Sequence, residues 1–230
     1  MSCTTIIRLY ALVAQLDRVS DYGSEGCGFD FCRARHNIDR RSTVDFYYQL
    51  ISGRHIMGRL LIVVDMQNDF VDGALGFEGA DGIIEGIASK IRSYKENNDE
   101  VVYTLDTHFD NYQDTQEGRN LPVPHCIKGS SGHELVPGLK DLLADCLCFE
   151  KPTFGSLKLA NYINSNEDKY DVIEVCGLVS NICVISNAII AKAAAPEAQI
   201  IVDSALTDSF DKTLNSETFD ILKGVQVTVL

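Results

Sequence analysis

The sequence has no tryptophan, no surplus of basic residues, no long apolar run and no C-x-x-C pair, and these absences exclude several classes of protein. A formal net charge of −13 offers no basic face to phosphates, so nucleic acid is not expected as a partner. No apolar stretch approaches the ~20 residues that cross a bilayer, so no membrane partner is expected. The chain start lacks the apolar core and small-residue cleavage site of a secretory signal. Its eight cysteines follow no disulfide-scaffold spacing and read as reduced thiols in a reducing compartment. The rest is ordinary for a globular protein, with 45% hydrophobic and 23% charged residues in a chain of 230, enough for a well-filled core. A soluble cytoplasmic enzyme fits these limits.

The chain changes character near Met57. Residues 1–56 hold seven Arg and no Lys, whereas from Met57 onward there are three Arg and ten Lys. The stretch "ALVAQLDRVSDYGSEGCGFDF" resembles the conceptual translation of a transfer-RNA gene. Residues 1–56 are therefore read as a non-native or disordered N-terminal extension, the product of a start codon placed too early, and residues 57–230 as the folded domain. The rival reading is a genuine extension, with a helical arm around "STVDFYYQLI" that packs on a partner. Cys3, Cys27, Cys32, His36 and His55 accordingly carry no weight as candidate site residues.

From Arg59 strand-like and helix-like runs alternate. "RLLIVVD", "EVVYTLD", "CLCFEK", "DVIEVCG", "AQIIVDS" and "VQVTVL" read as six strands, the first a near-continuous apolar run of the kind buried on both faces. Cys146 and Cys148 alternate in the third and are expected on one face. Ile83, Ile84, Ile87 and Ile91 recur at helical spacing, "LKDLLADC" reads as a short helix, and a helix over "SNICVISNAIIAKAAA" starts at a Ser/Asn cap. "KTLNSETFDILKG" is a helix with Gly224 at its end, and Thr107 to about Gly138 is a long loop. This alternation implies an α/β fold class: three α/β/α layers around a mostly parallel six-stranded sheet.

Ligands of open parallel sheets bind outside the carboxyl ends of the strands. Asp65, Asp106, Lys151 and the segment leading to Cys183 all fall on that rim. Cys183 sits in a first helical turn, where the dipole favours a thiolate, and Asp65 and Lys151 can converge on it as base and cation. Flanked by Ile182 and Val184, it reads equally well as a packed core thiol. Asp106, His108 and His125 form a second set; two His and a carboxylate suit zinc, iron or manganese, although a His in a polar loop is more often a surface residue.

Three motifs, "LLIVVDMQNDF", "FEKPTFGS" and "VCGLVSNICVISNA", occur in an order and spacing that resemble the isochorismatase-like cysteine hydrolases, the group that includes nicotinamidases. The resemblance covers Met57 to Leu230 and implies the Rossmann-like fold of that family. It implies a triad of Asp65, Lys151 and Cys183, a cis peptide between Leu178 and Val179, and an oxyanion hole made by the backbone amides of Val179 and Cys183. "LDTH" followed by "LPVPHCIKGSSGHEL" is similar to the metal-binding segment of nicotinamidases, which implies a divalent metal on Asp106, His108 and His125, with Glu117 as a further ligand. Phe70 matches a pocket aromatic of the family, whereas His133 falls after the motif and is read as structural or exposed.

The implied activity is metal-dependent hydrolysis of a small amide, nicotinamide to nicotinate and ammonia, through a Cys183 thioester. One departure is plain: nicotinamidases usually carry an aromatic, often Trp, shortly before the second His, and here that segment reads "NLPVPH". The alternatives are a metal-free relative acting on another amide, a carbamoyl or ureido compound or an isochorismate-like vinyl ether, and a non-catalytic binding module. The family resemblance allows a homo-oligomer, but no interface is legible in the sequence.

Overall fold

A computed structural model describes residues 58–230. The reading of residues 1–56, including the cysteines, histidines and helical arm named there, lies outside the described residues. In chain order the regular elements are β1 (Arg59–Val64), α1 (Asn68–Val71), α2 (Ile84–Glu96), β2 (Glu100–Asp106), α3 (Gln116–Asn120), α4 (Pro137–Lys140), β3 (Leu147–Lys151), α5 (Leu157–Asn164), β4 (Val172–Leu178), α6 (Ile185–Ala194), β5 (Gln199–Asp208), α7 (Lys212–Gly224) and β6 (Thr228–Val229). A π-helical turn, Ser180–Val184, joins β4 to α6.

The six strands form one sheet in the order β3-β2-β1-β4-β5-β6, and every pairing in it is parallel. Strand order reverses between β1 and β4, which makes the crevice above these two strands the place for a ligand. Side-chain alternation on β1 separates the two apolar layers. Leu60, Ile62 and Val64 face Leu159 and Ile163 of α5 and Ala188 and Ala191 of α6, while Leu61 and Val63 face Ile87, Ile91 and Tyr94 of α2 and Leu139 of α4. Burial of β1 on both faces accounts for its uninterrupted apolar run. Glu174 on β4 is also buried, and it is satisfied by Lys90 at 2.6 Å, Arg59 at 3.4 Å and the Tyr94 hydroxyl at 2.8 Å. A buried carboxylate so paired ties β4 to α2 and β1.

Several sequence expectations need correction. β5 continues past Ser204 to Asp208 after a bulge opposite Val175 and Gly177; Asp203 and Ser204 read as a strand end because their side chains leave the sheet for Lys90 and the Leu230 carbonyl. "LKDLLADC" is helical only as far as Lys140. β3 starts at Leu147, so Cys146 precedes the strand and bonds back toward the Leu142 carbonyl. Gly224 is the last helical residue of α7, and the left-handed turn falls on Gln226 (φ 64°). The loop from Thr107 contains α3, started by Thr115, whose hydroxyl accepts from the Gly118 amide at 3.0 Å.

Gly177, near the end of β4, adopts φ +115°, and a Cβ there would lie 2.1 Å from the Val64 carbonyl oxygen. Only glycine lets β4 run this close to β1 as it enters the turn toward Cys183. Gly177→Ala is expected to destabilise the domain by about 3 kcal/mol, read as a lowered denaturant midpoint at unchanged m-value; an unshifted midpoint would refute the constraint.

Candidate active site

Register brings the rim residues together. Val64 pairs with Thr104 on one side and Gly177 on the other, and Asp106 pairs with Lys151. The chain leaves β1 at Asp65 (φ 47°), a left-handed conformation that Asp tolerates better than most residues. Asp65 is fully buried. Its Oδ1 accepts from the Thr104 hydroxyl at 2.7 Å, and its Oδ2 lies 2.6 Å from Lys151 Nζ as an ion pair without the alignment of a hydrogen bond. Lys151, 1% exposed, also reaches Asp106 Oδ1 at 3.3 Å and Cys183 Sγ at 3.5 Å.

The charges follow from this packing. Burial alone would lower the Lys151 pKa, but Asp65, the Cys183 sulfur and Asp106 outweigh it and keep the ammonium protonated. Burial raises Asp65, against the lowering pull of Lys151, and so makes it a stronger base than an exposed carboxylate. Burial and then Asp65 push the Cys183 thiol well above its ordinary value, against Lys151. Burial and Asp65 thus oppose ionisation of Cys183 while Lys151 favours it, and the residue lies in a π turn ahead of α6.

The turn carrying Cys183 also differs from the Ser/Asn cap read in the sequence. The peptide between Leu178 and Val179 is cis. No side chain caps the π turn; the Val179 carbonyl accepts from the amides of Ile182 and Val184, both at 3.1 Å. Ser180 instead donates its hydroxyl to Asn215 Oδ1 on α7 at 2.5 Å. Asn187, fully buried one turn into α6, donates to the carbonyls of Cys183 (2.8 Å) and Phe154 (3.1 Å) and accepts from the Ser156 amide (3.1 Å). It thereby fastens the cysteine turn to the loop after Lys151.

Asp106, His108, Glu117 and His125 bring one ligand atom each to within 4.8 Å of one another. Asp106 Oδ2 is 3.0 Å from His108 Nε2 and 3.3 Å from His125 Nε2, and Glu117 Oε1 is 3.7 and 3.8 Å from the same two nitrogens. His125 Nδ1 lies 2.9 Å from the Val123 carbonyl, which accepts its proton and leaves Nε2 free as a lone-pair donor. Burial would raise Asp106, but His108, His125 and Lys151 outweigh it and hold its carboxyl below the usual range. Glu117 is raised by burial and then by Asp106. Two imidazoles and two carboxylates on one point are a donor set suited to a divalent zinc, iron or manganese ion.

Some supporting residues gave little sequence signal. Tyr112 is buried, sets its ring edge-on to both His108 (4.7 Å) and His125 (5.1 Å), and donates its hydroxyl to the Leu121 carbonyl. Gln67 donates to the carbonyls of Asp106 and His133 and accepts from the Asp106 amide at 2.8 Å, which locks the end of β2. His133 is half-buried, with Nε2 2.9 Å from the Thr107 hydroxyl. Phe70 stands 5.7 Å from the His125 ring and is 7% exposed. A cleft of about 390 Å³ opens beside Lys151, between Phe109, Pro152 and Leu157. A second, of about 280 Å³, runs along His108 and Glu117 and shares Phe109 and Pro152 with the first. Cys183 lies behind Lys151 and lines neither cleft; the described cysteines carry no disulfide.

Comparison with known proteins identifies the family. Residues 59–230 match the Isochorismatase domain. The chain is 24% identical over 169 residues to a nicotinamidase/pyrazinamidase of Mycobacterium tuberculosis, covering 68% of this chain and 90% of that one. Among solved structures, nicotinamidase/pyrazinamidase from Bacillus subtilis superposes with a TM-score of 0.68 at 26% identity, over 75% of this chain and 99% of that one. Pyrazinamidase of Pyrococcus horikoshii in complex with zinc superposes with a TM-score of 0.66 at 26% identity, over 75% and 98%. With a family match spanning the whole described sheet and its rim, the chain belongs to the isochorismatase family of hydrolases.

Proposed function

We propose that residues 57–230 form a metal-dependent cysteine amidohydrolase that converts a small carboxamide, nicotinamide foremost, to its acid and ammonia. The observation that carries this reading is the position of Lys151 Nζ, in reach of both the Cys183 sulfur and Asp106, so that nucleophile and ligand set share one rim. The relatives named nicotinamidase and pyrazinamidase support the amide class, and the zinc complex supports a metal. For nicotinamide the reaction belongs to cytoplasmic pyridine-nucleotide salvage.

In this mechanism Asp65 takes the proton of the Cys183 thiol as the sulfur bonds to the amide carbon. The Lys151 ammonium stabilises the developing sulfur charge and does not itself give up a proton. The amides of Val179 and Cys183 receive the carbonyl oxygen as it becomes an oxyanion. Collapse breaks the carbon–nitrogen bond, and Asp65 delivers its proton to the departing ammonia. Water then attacks the thioester, with Asp65 accepting its proton and returning it to sulfur as the acid leaves. Asp106, His108, Glu117 and His125 would hold a divalent ion, which would supply Lewis-acid binding of the substrate and so help to position it.

Cys183→Ala is expected to lower ammonia release from nicotinamide or pyrazinamide by at least ~1000-fold with an unchanged thermal midpoint. Amidase activity surviving in that variant would refute the covalent step. Chelation of the purified protein is expected to raise KM or abolish turnover, with recovery on adding zinc, iron or manganese. His108→Ala and His125→Ala should each lose bound metal by elemental analysis; unchanged metal content would refute the ligand set, and full activity of a metal-free preparation would point to the metal-independent relatives.

A further inference from the structure

A serine at the start of a helix ordinarily spends its hydroxyl on the helix's own free amides. Ser180 does not. It is fully buried, no side chain caps the turn it opens, and its hydroxyl donates outward to Asn215 Oδ1. Asn215 Nδ2 in turn donates to Asp208 Oδ1 at 3.3 Å. That contact fixes the amide orientation, because a carboxylate only accepts and so demands the NH₂ end.

Asp208 is itself held on several sides. Its Oδ1 accepts from the Ser209 amide at 2.8 Å and its Oδ2 pairs with Lys212 at 2.6 Å. Asp211 caps α7 by accepting from the amides of Thr213 and Leu214. In the sheet, Asp208 pairs with Leu178 and Thr207 with Gly177, so the first turn of α7 stands level with the turn that carries the nucleophile. A relay of hydrogen bonds thus runs from a capped helix end through Asp208 and Asn215 to Ser180. It ends between Val179 and Cys183, the residues whose amides the proposed reaction uses. The amides of Ile182 and Val184 are already taken by the Val179 carbonyl, whereas no backbone carbonyl among the described residues accepts from the Val179 amide.

We propose that Asn215, acting through Ser180, is a positioning residue that holds the Val179–Cys183 turn in the geometry needed to receive the oxyanion. This role rests on the amidohydrolase reading. It gives Asn215 a part in acyl transfer but none in creating the nucleophile, since the side chains of Ser180 and Asn215 bond to each other and to Asp208, not to Cys183, Lys151 or Asp65.

The test separates these two roles. Ser180→Ala, Asn215→Ala and the double variant are assayed for nicotinamide and pyrazinamide hydrolysis, and for alkylation of Cys183 by iodoacetamide, a displacement that forms no oxyanion. Each single change is expected to lower kcat about 10- to 100-fold, with KM and the alkylation rate within about twofold of the parent. The double variant should be no slower than the slower single, because both break one contact. An unchanged kcat would overturn the inference. So would parallel falls in kcat, alkylation rate and thermal midpoint, which mark a merely structural contact. A parent protein that hydrolyses none of the amides while Cys183 alkylates readily would overturn the amidohydrolase reading, and the positioning role with it.

Discussion

A lysine ammonium 1% exposed to solvent sits between two carboxylates and a sulfur, and the rim of the sheet is organised around it. Taking such a charge out of water costs several kcal/mol, which is recovered only when its partners are close and well placed. The sequence meets that requirement with one residue from each of four segments: Asp65 after β1, Asp106 ending β2, Lys151 ending β3 and Cys183 in the turn after β4. Parallel pairing is what makes this possible. All strands present their carboxyl ends to one side, and the Val64–Thr104 and Asp106–Lys151 pairings bring those ends level. Removing Lys151 would leave Asp65 and Asp106 buried with no shared counter-charge, so the ion cluster constrains the sheet's register as well as its chemistry.

The same desolvation that makes Lys151 costly shapes the proposed reaction. A buried thiol resists ionisation, and a buried carboxylate binds a proton more readily. The proposed proton transfer from Cys183 to Asp65 is therefore between two groups raised by the same environment, and Lys151 stabilises the negative charge on whichever of them carries it.

The strands were legible as short apolar runs, and Asp65, Asp106 and Lys151 because β1, β2 and β3 close on a charged residue; Cys183 was marked by its motif in the turn after β4. The β5 bulge was not legible, since Asp203 and Ser204 look like a strand end unless their partners Lys90 and Leu230 are known. Nor was α3: Gln116–Asn120 has no apolar periodicity, and it is held by the Thr115 cap and the Tyr112 carbonyl. The supporting polar residues left a faint trace. Thr104 interrupts the apolar run of β2 and Asn187 that of α6, each on a buried face where a polar side chain needs a reason. What sequence could not supply was the partner, because Asn187 bonds to residues more than 30 positions away and Thr104 to one 39 away.

Strands and loops divide the labour in this site. The acid, the cation and the cysteine turn hang on the sheet, where a displacement would disturb two apolar layers at once. The ligand set depends on the segment from Thr107 to Gly138, pinned by the Tyr112–Leu121 contact, by Asp69 accepting from the Cys126 amide at 2.7 Å and by Gln67 beneath Asp106. The departure from the family's usual aromatic, at "NLPVPH", falls in this loop and not on the sheet. A loop anchored at a few points can exchange a pocket wall without moving the nucleophile. In this chain, then, the groups of the proposed acyl chemistry are fixed by the core, while Phe109 and Pro152, which border both clefts, belong to the loops around it.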